Sequence, residues 1–378
     1  MKSDLFDYIK WRGDLTFKSA PMGEIDGAIF SMATYVEYDS ALAEGEMDDP
    51  VSFNYVLESY FSMDENREIK LGLIAPTDKI IRMLELISKT LRYSSMKISD
   101  FVNYINEDEC CQFCAMAFHL DDGSVAVSFR GTDDTIIGWK EDFNLSFSRE
   151  TPSQKKATKY LNRIADKYKD SPIYVCGHSK GGNLAVYAAA TCCDDTRKMI
   201  ARVFSYDGLG QSGEIIMSEG YEKVCNRIDS FLPQSSIVGT MFNGGKYKVV
   251  NSAYRGPYQH DLYSWELDGP AYLRLSGLSA KGVKNQSSFN GMMGKMTSSE
   301  KESFVSILFG AIESTGAKTL SEISTAKLKS MSGMIRSLNG ISKEQKEVML
   351  GIILKMLDLR KDDELKREIE SQNDEDLE

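Results

Sequence analysis

The stretch Gly177-His178-Ser179-Lys180-Gly181 holds the residues best suited to chemistry. A serine hydroxyl attacks well only when a base takes its proton in the transition state. Ile173-Tyr174-Val175-Cys176 before it is apolar and β-prone. Gly182-Asn183-Leu184-Ala185-Val186-Tyr187-Ala188-Ala189-Ala190 after it is small and helix-compatible. The pattern predicts a strand, a sharp turn at Ser179 and a helix. Such a turn pushes the hydroxyl out at the carboxyl end of the strand. Neighbouring glycines let strand and helix approach where a Cβ would collide.

The chain has only three histidines, so the search for a base is short. His178 adjoins the serine, and consecutive side chains diverge. His119 precedes it, near the end of an early strand. In the α/β-hydrolase order of nucleophile, acid and histidine, only His260 qualifies, within Tyr258-Gln259-His260-Asp261-Leu262. The acid must hold the imidazole in the productive tautomer. Asp207, just after the strand Arg202–Tyr206 and followed by Gly208 and Gly210, is favoured. Asp229, inside a weaker strand, is the alternative acid. An oxyanion hole needs two donors aimed where charge develops. The N–H of Lys180 is one. Thr132, in Phe129-Arg130-Gly131-Thr132, is expected to orient the second or to supply it.

These residues need a sheet to carry them. Phe113–Phe118 and Ser124–Phe129 read as strands joined through Asp121-Asp122-Gly123. A helix follows at about 152–169, then the elbow, then strands at 202–206, 228–232 and 247–251. Alternating strands and helices predict an α/β fold with a mostly parallel sheet flanked by helices, meeting ligands at the strand carboxyl ends. Residues 1–105 read as a helical cap or flank, with Lys79–Ile87 at helical spacing; 106–298 is the core. Residues 299–378 read as a helical region, with capping boxes at Ser299-x-x-Glu302 and Ser342-x-x-Gln345. The segment 348–357 is strongly apolar, and core packing is expected for it. An acidic tail over 358–378 carries ten Asp or Glu against four Lys or Arg.

Composition narrows the function. The 378 residues are 42% hydrophobic and 27% charged, with net charge -11. That is a soluble globular profile and argues against nucleic acid as a partner. No signal peptide and no run of about 18 apolar residues is evident, and seven cysteines read as reduced thiols. A cytoplasmic protein is expected. Cys111-x-x-Cys114 lacks a second pair, so packing at a strand edge is expected rather than a metal.

Phe129-Arg130-Gly131-Thr132, Trp139-x-x-Asp142 and Gly177-His178-Ser179-x-Gly181-Gly182 together resemble the class 3, fungal-type lipases in order and spacing. The resemblance spans about residues 110–265. It implies Ser179 as nucleophile, Thr132 at the oxyanion hole, and His260 through Gln259-His260-Asp261-Leu262-Tyr263. The family places its acid in a D-x-V-P stretch, but Leu232-Pro233-Gln234-Ser235-Ser236 has no carboxylate. Lys180 stands where lipases often carry leucine, and Gly-His-Ser-Lys-Gly-Gly-Asn looks like a bacterial branch without established function. The expected activity is cleavage of a carboxylic ester through an acyl-enzyme, with no metal or cofactor. The substrate is a small-molecule or lipid ester, and peripheral membrane contact is compatible with that. A thioesterase or acyltransferase with the same triad, or a catalytically weak binding or scaffold protein, are the alternatives.

Overall fold

Strand-forming runs that are apolar on both faces dominate the middle of the chain, and they assemble into one central sheet. The structure, a computed structural model, describes residues 3–38, 48–62, 77–242, 245–319 and 322. The strands are β1 (Val51–Ser52), β2 (Lys97–Asn106), β3 (Cys111–His119), β4 (Val125–Phe129), β5 (Ile173–His178) and β6 (Ile200–Tyr206). They continue with β7 (Ile228–Pro233), β8 (Lys248–Val250), β9 (Leu267–Asp268), β10 (Ala271–Tyr272) and β11 (Arg274–Leu275). Nine form one sheet in the order β1-β2-β3-β4-β5-β6-β7-β8-β11, and β9 pairs with β10 separately. The block β4 to β8 is parallel, with antiparallel strands on both sides. This is an α/β-hydrolase sheet.

The helices are α1 (Leu5–Arg12), α2 (Glu24–Ala33), α3 (Phe53–Ser62), α4 (Thr77–Ile87), α5 (Leu91–Ser94), α6 (Ile136–Asn144) and α7 (Pro152–Lys167). They continue with α8 (Lys180–Thr191), α9 (Asp194–Met199), α10 (Gly213–Ile216), α11 (Glu219–Val224), α12 (Ala280–Gly294) and α13 (Ser298–Glu313). Alternation along β5 explains the layers: Ile173 and Val175 enter one core with α7 and α8, while Cys176 enters the other with α1 to α4.

The amino-terminal segment therefore does more than flank the core. It packs on one sheet face together with residues 262–272, with α2 lying against β4, β5 and β6, and contributes β1 and β2 to the sheet. Cys111 and Cys114 sit in β3, an interior strand rather than an edge, as buried thiols outside any disulfide. The cap of α13 falls at Thr297 with Glu300, two residues before Ser299, because the Thr297 side chain accepts from the Glu300 N–H. Ser342, the apolar segment 348–357 and the acidic tail lie outside the described residues. Among the described residues no helix is long and apolar enough to cross a membrane.

A buried ion pair fixes the amino-terminal layer. Arg92 Nε and Nη2 each donate to the Asp26 carboxylate at 2.7 Å, and Tyr93 donates to it at 2.6 Å. Arg92 Nη1 donates to the Ala20 carbonyl at 2.9 Å. Losing one partner leaves an uncompensated buried charge. Arg92→Leu is therefore expected to destabilise the fold by about 3–5 kcal/mol. Urea unfolding checks this, and an unchanged midpoint would contradict it.

Candidate active site

The strand register brings the carboxyl ends of β4 to β8 into line, pairing Phe129 with Gly177, His178 with Tyr206, and Tyr206 with Phe231. The loops leaving these ends carry the site. Ser179 joins β5 to α8 with φ 58° and ψ -127°, a strained conformation for a residue with a side chain. Its N–H donates to the Tyr206 carbonyl at 3.0 Å. Close packing enforces the turn. A Cβ at Gly177 would lie 2.2 Å from the Gly181 carbonyl carbon, and one at Gly181 would lie 2.1 Å from the Phe129 carbonyl oxygen.

His260 ends a short 3-10 turn, Gly256–His260. Its Nδ1 lies 2.6 Å from Asp207 Oδ2. The other carboxylate oxygen, Oδ1, accepts from Ser236 Oγ at 2.5 Å and from the Gly239 N–H at 3.1 Å. With Nδ1–H committed to the carboxylate, the neutral ring has its lone pair on Nε2. Nε2 is buried and has no hydrogen-bond partner among the described residues. Asp207 has φ 43°, so the residue following β6, like the one following β5, leaves its strand in the left-handed region. Asp229 is placed elsewhere, on β7, where Lys248 Nζ of β8 lies 2.6 Å from it and Arg202 Nη2 of β6 2.8 Å, both bases being partly exposed. His119 is bonded to Ser99 Oγ at 2.8 Å and stands edge-on to Tyr168.

His178 reaches the site as a brace. Its Nε2 lies 2.9 Å from the His260 carbonyl oxygen, which can only accept, so Nε2 carries the hydrogen. Nδ1 is then the acceptor for the Tyr35 hydroxyl at 3.0 Å. Burial holds the His178 pKa well below the usual histidine value, and the neighbouring His260 pushes the same way.

The loop after β4 faces the elbow. Thr132 Oγ1 donates to Asp142 Oδ2 at 2.5 Å, so its hydrogen is spent on orienting the loop. Burial raises the Asp142 pKa to about 7, against the lowering effects of the Lys180 charge and the Thr132 hydrogen bond. Lys180 is the first residue of α8, and its N–H has no intrahelical partner. Neither that N–H nor the Thr132 N–H donates to a described main-chain group.

Tyr35, Gln112, Glu141 and Ser236 also belong to this region, and sequence reasoning passes over them. They come from four separate segments and no spacing links them. Asp142 had a signal, its place in Trp139-x-x-Asp142, but no role followed from that alone.

A family model described as Mbeg1-like matches residues 87–310. Among solved structures the chain is similar to M37 lipase, with 12% identity, 58% of this chain and 70% of that one covered, and a TM-score of 0.37. It is likewise similar to a Rhizomucor miehei lipase propeptide complex, with 12% identity, 69% and 75% coverage, and a TM-score of 0.38. A fungal lipase–inhibitor complex gives 11% identity, 70% and 97% coverage, and a TM-score of 0.36. Comparison with curated proteins returns no match.

The brace yields a spectroscopic expectation. The His178 ring should stay neutral and hydrogenated at Nε2 at about pH 6.5, where an ordinary histidine is half protonated, since burial holds its folded pKa well below that value. Nitrogen-15 NMR of the histidine rings checks this. A His178 midpoint near 6.5 would contradict the assignment.

Proposed function

The chain belongs to the Mbeg1-like family, and from that premise and the geometry of its site we propose that it is a serine hydrolase cleaving a carboxylic ester through an acyl-enzyme on Ser179. The observation that carries this reading is His260, its Nδ1 2.6 Å from a buried carboxylate and its Nε2 unpartnered among the described residues, on a loop bonded to the residue preceding the elbow serine.

In this reading Ser179 Oγ attacks the ester carbonyl carbon while His260 Nε2 takes its proton. Asp207 holds the Nδ1–H tautomer and stabilises the imidazolium as it forms. The tetrahedral intermediate's oxyanion accepts from the N–H groups of Lys180 and Thr132, with Thr132 Oγ1 and Asp142 steadying the second. His260 then returns its proton to the leaving alkoxide. Water repeats the sequence on the acyl-enzyme and regenerates Ser179. The substrate class is a small-molecule or lipid ester.

Two experiments test the reading. A fluorophosphonate probe should label the wild-type protein at Ser179, and Ser179→Ala should abolish both labelling and ester hydrolysis. Hydrolysis near the wild-type rate in purified Ser179→Ala would sink it. Asp207→Asn should lower kcat by roughly 10⁴-fold by leaving the wrong tautomer. Asp229→Asn should change kcat little, because its partners are Lys248 and Arg202. The reverse ranking would move the acid to Asp229.

A further inference from the structure

Lys180 is the elbow residue whose type nucleophilic attack does not require, since any residue there offers an N–H. Its side chain nevertheless stays inside the protein, with 2% of its side-chain surface exposed. Nζ donates to the Gln112 carbonyl oxygen at 2.7 Å, to Gln112 Oε1 at 2.5 Å and to Glu141 Oε2 at 3.2 Å. An ammonium has three hydrogens and no acceptor, so its capacity is filled. Glu141 is satisfied in turn, accepting from the Gln112 and Ser153 N–H groups and from Ser153 Oγ.

The consequence runs through Gln112. A donor-only group beside its amide fixes which end is oxygen. The NH₂ end then faces the loop after β4, where Nε2 lies 3.5 Å from the Gly131 carbonyl oxygen. In a trans peptide the C=O and the following N–H point in opposite directions. The chain has no cis peptide among its described residues. Holding the Gly131 carbonyl toward Gln112 therefore aims the Thr132 N–H away from it. The space against Gly131 is tight on the elbow side: a Cβ there would lie 2.6 Å from the His178 carbonyl oxygen and 3.1 Å from Ser179 Cβ. The loop thus lies directly against the nucleophile.

Building on the serine hydrolase reading, we infer that the Lys180 ammonium is a positioning group for the oxyanion hole. It fixes the Gln112 amide, and Gln112 orients the Gly131–Thr132 peptide. One residue thereby gives the first oxyanion donor from its main chain and aims the second with its side chain. A leucine or methionine at this position would keep the first donor and lose control of the second. With no donor to hold it, the Gln112 amide could turn its oxygen toward the Gly131 carbonyl, and the two acceptors would repel.

The test uses the full chain with a p-nitrophenyl ester, the fluorophosphonate labelling rate, and thermal unfolding as separate readouts. Lys180→Met and Gln112→Leu are each expected to lower kcat by about 10²-fold, the scale of one oxyanion donor. KM should stay near the wild-type value, because the interaction is realised in the transition state. Lys180→Met/Gln112→Leu should fall no further than either single variant. Lys180→Met also strands Glu141 as a buried anion. Lys180→Met/Glu141→Gln removes that charge, so Tm should recover while kcat stays low. Recovery of kcat together with Tm, or wild-type kcat in Gln112→Leu, would overturn the inference and leave the hydrolase reading standing. A wild-type protein that the probe does not label at Ser179 would overturn the hydrolase reading and this inference with it.

Discussion

The candidate site depends on one close approach, the start of α8 against the end of β4. Gly181 packs so tightly on the Phe129 carbonyl that no side chain fits between them. That contact sets the distance between the first turn of a helix and the loop Gly131–Thr132. It also leaves the chain no relaxed way to pass from β5 into α8, so Ser179 takes φ 58°. A helix amino terminus carries partial positive charge and unpaired N–H groups, which suits it to hold an anion.

His260, the proposed base, lies on the loop that follows β8. Such a loop lies far in sequence from the elbow and needs ties to stay over it. His178 binds the His260 carbonyl, Trp265 Nε1 donates to the Gln259 carbonyl at 2.7 Å, and Gln259 Oε1 accepts from the Ser235 N–H at 2.8 Å. Lys79 of α4 holds Asp261 at 2.7 Å. The amino-terminal layer therefore reaches the candidate site through Tyr35, bonded to His178, and Lys79, bonded to Asp261, the residue after His260. A segment with no recognisable chemistry of its own stabilises the groups on which the proposed chemistry rests.

What the sequence made legible was what is local or ordered along the chain. The elbow was visible because strand, turn and helix are contiguous and each has its own period. The order of the motifs reduced three histidines to His260, the one whose ring meets a buried carboxylate. Position relative to a strand end separated Asp207 from Asp229, and the structure puts them in different surroundings. Contacts that close only in three dimensions stayed hidden. Nothing near Tyr35 says that it will meet a histidine 143 residues away. Lys180 was visible as an unusual residue, but its partners Gln112 and Glu141 lie on β3 and α6, and only the fold brings those together. The two-residue strands β9 to β11 are too short for alternation to register.

The placement of charge around the elbow follows from the same constraint. Glu141, Asp207 and Asp142 are buried carboxylates near it, and each is handled differently. Glu141 is matched by the Lys180 ammonium and three other donors. Asp207 faces His260 and takes two further hydrogen bonds. Asp142, which holds Thr132, has one hydrogen-bonding oxygen and a second, buried, without a partner among the described residues. Burial answers that deficit by raising its pKa to about 7. In the proposed mechanism an anion forms beside Thr132, and a fully ionised carboxylate one hydroxyl away would repel it. The Lys180 charge works against that protonation and so keeps Asp142 an acceptor for Thr132. In that mechanism loop order and oxyanion stability place opposite demands on this carboxylate, with burial raising its pKa and the Lys180 charge lowering it.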